Sequence, residues 1–152
     1  MVTRKGLDTA TFGDTELDGF IAKFSPAVAA LSHALLANAR AQFPDAALLV
    51  CDSYNALAIE FGPTDRVKDV VFSLAIMPRW VALFFTWSVK VADPKKVRGG
   101  AGLQVRHVHL PKPKAFDAPI VQHLIAQAVV NAEPPIGHTA TGGIVIKSIS
   151  AK

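Results

Sequence analysis

Residues 72–86 read FSLAIMPRWVALFFT. Phe72, Leu74 and Ile76 alternate with Ser73 and Ala75, the period of two that turns one side of a strand toward a core. Pro78 and Arg79 then turn the chain. Val81, Leu83 and Phe85 resume the alternation, with Ala82, Phe84 and Thr86 between them. Two alternating runs joined by a few residues predict an antiparallel hairpin. Bulky residues at both parities of 81–86 predict a strand covered on both sides, or one whose second side meets another copy of the chain.

The same period extends upstream and downstream. AALLVC at 46–51 is strand-sized and apolar, and Leu57, Ile59 and Phe61 alternate with Ala56, Ala58 and Glu60. Gly62-Pro63-Thr64-Asp65 is a turn cluster. Gln104 to Leu110 predicts a further strand, ended by Pro111 and Pro113, and Gly143 to Ile149 predicts the last one.

Outside the strands the period becomes 3.6. Leu17, Phe20, Ile21 and Phe24 form one helical stripe, with Thr15 as its expected cap. Ser25 and Pro26 are suited to N-cap and first-turn positions. They open a second helix striped by Val28, Leu31, Leu35 and Ala39 and closed before Pro44. Asp117 is expected to cap a third helix with Pro119 in its first turn and Val121, Leu124, Ile125, Ala128 and Val129 on its buried side. The order α-α-β-β-β-β-β-α-β predicts an α+β fold: an antiparallel five- or six-stranded sheet covered on one face by three helices. Residues 1–13 are expected to be a flexible N-terminal arm, and 14–152 a single domain.

The bulk composition suits one packed core. Of 152 residues, 51% are apolar and 18% are charged, against about 25% charged in an average domain. Cys51 is the only cysteine, which excludes an intramolecular disulfide and suits a reducing compartment. The first residues lack the apolar run of a secretory signal, and no stretch reaches the roughly 20 apolar residues of a membrane span. A cytoplasmic location without membrane contact is the expectation. The net charge of +4 and the pI near 9.4 favour solubility and attraction of anions. The basic segment from Lys90 to Lys114 has no interleaved aromatic residues, so nucleic-acid binding is not expected.

Cys51-Asp52-Ser53-Tyr54-Asn55 followed by ALAIEFGPT resembles the early strand pair of the YdhG-like family. So do Pro78-Arg79-Trp80 before VALFF and the 102–110 strand ahead of a proline-started helix. The resemblance spans roughly 17–130. It implies a frataxin-like fold, with helices on one face of a sheet. It also implies a second function, iron chaperoning, for which the matching acidic residues are Asp14, Glu16 and Asp18.

Several groups of residues are candidates for chemistry. Asp52, Tyr54 and Asn55 interrupt a strand with polar groups, and with Arg79, Trp80 and Trp87 they suggest a pocket of mostly apolar walls. Arg106 shares the parity of Val108 and Leu110, which would point its guanidinium inward. There it would need Asp52 or Glu60 as a partner, or an anion to bind. His107 and His109 fall on one side of a strand but lack a third ligand for a metal. The glycines at 99, 100 and 102 match neither a P-loop nor a dinucleotide fingerprint. GxSxG, HExxH and CxxC are absent. The expected function is a non-enzymatic domain holding a small anionic ligand or metabolite in a crevice of Asp52, Tyr54, Asn55, Arg79, Trp80 and Arg106. No cofactor or metal is expected, and a homodimer is a third reading.

Overall fold

In the computed structural model the described residues are 6–91, 103–132, 135–136 and 143–148, with side chains described over 14–86, 107–132, 135–136 and 143–147. The hairpin expected from 72–86 is present as β3 (Phe72–Ile76) and β4 (Val81–Val91), in register from Phe72 opposite Phe85 to Ile76 opposite Val81. Upstream, β1 (Ala47–Asp52) and β2 (Leu57–Gly62) form a second hairpin, and β5 (Leu103–His109) pairs with β4. With β6 (Ile144–Ser148) the sheet has six strands in the order β5-β4-β3-β2-β1-β6.

Three helices supply one side of the core: α1 (Gly6–Ile21), α2 (Pro26–Gln42) and α3 (Pro119–Val130). Leu17 and Ile21, Leu35 and Ala39, and Leu124 and Ile125 pack in one cluster with Leu48, Ile59, Leu74 and Leu83 of the sheet. Phe72 lies at its centre, stacked on Phe61 with ring centroids 4.9 Å apart and tilted against Phe43 at 5.4 Å. The Oγ of Ser25 accepts from the amide of Val28, and Pro26 occupies the first turn of α2, as expected.

Three expectations need correction. The sheet is mixed, because β6 runs parallel to β1. Strand directions alternate from β1 to β5, so β5 and β1 point the same way. The helical crossover through α3 returns the chain to its starting end, and the next strand must then repeat that direction. The arm expected over 1–13 is helical from Gly6, so Thr15 lies inside α1 and is not its cap. Asp117 ends a 3-10 turn (Pro113–Asp117), and Ala118 caps α3 without a side-chain bond.

Gly62 ends β2 where the chain doubles back. A Cβ there would lie 3.2 Å from the carbonyl oxygen of Asp69 and from the Cα of Val70. The absent side chain lets the 63–71 connection fold against the sheet face away from the helices, where Val70 packs on Ala47 and Leu49. That connection is held by Asp69, whose carboxylate accepts from Thr64 Oγ1 at 2.6 Å and Arg66 Nε at 3.1 Å. The Thr64 hydrogen bond, followed by the one from Arg66, keeps the Asp69 carboxyl below its ordinary value.

Candidate functional site

The β1–β2 turn, the β3–β4 turn and the α1–α2 bend share one end of the sheet. Ser53 N donates to Ala56 O at 2.9 Å and closes the first turn, and Met77 N donates to Trp80 O at 2.8 Å and closes the second. The bend is tied to the first turn by Lys23. Its Nζ donates to Asp52 Oδ1, to the carbonyl of Ser53 and, at 3.1 Å, to the carbonyl of Ala56. An ammonium has three donors, so all three are committed to the turn, and the charge of Lys23 is matched by that of Asp52.

Between these pieces lies a hollow of about 330 Å³ lined by Lys23, Phe24, Ser25, Tyr54, Asn55 and Pro78. Tyr54 is 70% exposed over it. Phe24, nearly buried, forms part of its base.

The six residues expected in one crevice divide into three groups. Tyr54 and Asn55 line the hollow, and Asp52 supports it from beneath through Lys23. Arg79 is exposed and follows Pro78 in the β3–β4 turn, outside the lining of the hollow. Trp80, 36% exposed, turns to the opposite side of the sheet, where its ring lies 5.0 Å from that of His109. The side chain of Arg106 lies outside the described residues, as does that of Trp87. Both suggested partners of Arg106 have other roles. Asp52 binds Lys23, and Glu60 belongs to the sheet face away from the helices, since Leu57, Ile59 and Phe61 occupy the core parity.

The burial of Glu60 on the outer sheet face is a second feature not foreseen from the sequence. Burial on the outer sheet face raises its carboxyl above the ordinary 4.5, opposed in part by a hydrogen bond from the Cys51 thiol at 3.8 Å. A shallow groove of about 340 Å³ runs beside it, lined by Val67, Val70, Ser73, Ala75 and Phe84 among others. Alternation gave Glu60 only as the polar partner of a core strand. Its partial burial comes with Val67 and Val70 of the 63–71 connection lining the same groove, a long-range packing that local sequence does not encode.

Two of the acidic residues matched to iron binding, Asp14 and Asp18, have basic neighbours. Asp14 Oδ1 accepts from Arg40 at 2.8 Å, and Asp18 lies 3.9 Å from His33. Among the described residues no three His, Cys, Asp or Glu side chains gather as a metal site. Nor, among them, is any helix long and apolar enough to cross a membrane. Comparison with known proteins gives no matching family model, no matching curated protein and no matching solved structure.

Proposed function

We propose that the protein is a small-ligand-binding domain of the YdhG-like, frataxin-like kind, and that its site is the hollow between the α1–α2 bend and the two hairpin turns. The observation that carries this reading is the triple anchorage of Lys23, which fixes the bend and the β1–β2 turn around a space of about 330 Å³. That volume lies at the lower end of the roughly 300–1,000 Å³ of small-molecule sites. Preorganised walls reduce the entropic cost of binding.

The lining selects the ligand. Phe24, Tyr54 and Pro78 offer apolar and ring surfaces, and the Asn55 amide and Tyr54 hydroxyl offer hydrogen bonds. Lys23 is neutralised by Asp52, so the interior favours an uncharged polar ring over a bare anion. A carboxylate on such a ring would reach outward toward Arg79, exposed next to Pro78 in the β3–β4 turn. A ring carboxylate of metabolite size satisfies both requirements, and a free phosphate only the second.

Tyr54 is the chain's single tyrosine, so its ring resonances report on this site alone. Titration with benzoate, benzamide and inorganic phosphate should move them in that order of strength, with Tyr54→Ala abolishing any response seen at neighbouring amides. If none of the three moves the Tyr54 ring at about 10 mM, weaker than the millimolar affinity of a minimal fragment, the reading fails.

A further inference from the structure

The sheet face opposite the helices has an unusual composition for a surface. An antiparallel sheet with one side in water normally alternates apolar and polar residues. Among the described side chains, the outward positions of β1 to β4 instead carry Ala47, Leu49, Cys51, Ala58, Glu60, Ser73, Ala75, Ala82, Phe84 and Thr86, with Glu60 the one charged residue of that set. The helices do not cover this side, and the 63–71 connection reaches only part of it.

The registers order these side chains into rows. Glu60 stands opposite Ser73, Ser73 opposite Phe84, and Phe84 opposite His107. The next row runs Ala58, Ala75, Ala82, His109. The β2–β3 half is therefore a trough of small side chains bordered by a carboxylate. The β4–β5 half is a ridge of rings: Phe84 stacks on His107 at 5.0 Å, His107 lies 6.1 Å from His109, and His109 lies 5.0 Å from Trp80.

We propose that this face binds a second copy of the chain about a two-fold axis parallel to the strands and midway between β3 and β4, seating the ridge of each copy in the trough of the other. That axis lays β4 over the partner's β3 and β5 over the partner's β2. Phe84 then meets the space above Ser73, and His107 meets Glu60. An imidazole N–H donates to a carboxylate in either protonation state of the ring. A two-fold axis perpendicular to the strands would superpose each strand on its own counterpart, ridge on ridge and Glu60 toward Glu60. Shape and charge thus select the first axis. The groove beside Glu60 is the receiving half of this interface.

The contact spans four strands of about 4.8 Å spacing and about 17 Å in length, small beside the ~800 Å² per partner of a standard interface. The dimer is accordingly expected to dissociate in the micromolar range.

Sedimentation velocity from about 1 µM to about 500 µM, bracketing that range, tests it with the full chain. The expected result is a shift from the 16.2 kDa monomer to twice that mass. Ser73→Arg should weaken association at least tenfold while leaving circular dichroism and melting temperature unchanged. Glu60→Lys and His107→Glu should each weaken it about tenfold, and the double variant should recover most of the loss. Within one chain these two positions are three strand spacings apart, about 14 Å, so recovery requires a partner. A monomer throughout the range overturns the proposal. So does a dimer indifferent to Ser73→Arg, a double variant without recovery, or mass gained only when an oligonucleotide is added.

Discussion

Ser32 shows how a single polar atom is felt in this core. It is 1% exposed on the inner side of α2, and its Oγ has no hydrogen-bond partner among the described residues. A buried hydroxyl without a partner costs about 1–3 kcal/mol, and alanine is the better helix former. Ser32→Ala should therefore raise stability by about 1 kcal/mol in urea denaturation, with the slope m unchanged; a destabilised variant would mean that the hydroxyl is satisfied. Glu60 is the charged counterpart. Burial raises its carboxyl above 4.5, so the folded state holds this proton more tightly than the unfolded chain. The resulting stabilisation is complete below pH 4.5 and is lost as pH rises through the folded-state value. Glu60→Gln removes that dependence. Near pH 3 both proteins should respond alike to pH, whereas at pH 7 the variant should gain roughly a few tenths of a kcal/mol, a figure discounted for the partial exposure of the site. Thermal melts of both proteins from pH 3 to 8 test this, and parallel curves would exclude a desolvated Glu60.

At the scale of elements, the contrast between what the sequence revealed and what it concealed is one of range. Helical stripes and strand alternation depend on neighbours within four residues, and Leu17–Ile21, Val28–Leu35, Phe72–Ile76 and Val81–Phe85 were readable for that reason. Direction and partnership are not periodic properties, so β6 was recognisable as a strand but not as the parallel neighbour of β1. The start of α1 was hidden because Asp14, Thr15 and Glu16 look like a helix N-terminus although they lie within one. Tyr54 and Asn55 stood out as polar residues in a break between strands. Lys23 did not, because its bond to Asp52 joins residues 29 apart in the chain. Lys23→Met tests that link. It keeps the aliphatic stem but leaves Asp52 and two carbonyls without their shared donor. With Lys23 only 24% exposed at the side chain, the loss should be about 1–2 kcal/mol, near the range for hydrogen bonds to a charged group. Amide exchange should speed up at Leu57 and Ala58 more than at Leu74 or Leu83. Uniform acceleration would show that the bend and turn are not held locally.

The whole molecule depends on whether its last strand completes the sheet or merely decorates it. Ile144 is buried in the common core, Ile146 packs against it, and the amide of Leu48 donates to the carbonyl of Gly143 at 2.9 Å. Leu48 and Val50 of β1 are themselves fully buried in that same core. Without β6, β1 becomes an edge strand with a row of unpaired backbone groups and an apolar face, the arrangement that invites edge-to-edge aggregation. The crossover through α3 also loses its far anchor, because the only chain that returns from α3 to the sheet is β6. Ile144→Asp isolates this contribution while keeping the backbone pairing. It removes a large buried aliphatic group, worth about 2–5 kcal/mol on truncation, and places a charge at a position only 5% exposed. Against the usual stability of about 5–15 kcal/mol for a domain, the variant should melt well below the parent and aggregate on heating. Val145→Thr, on the opposite parity of the same strand, should be nearly silent. Equal effects from the two substitutions would mean that β6 contributes by hydrogen bonding alone; no effect from either would make the sheet five-stranded in energetic terms, with β1 as its true edge.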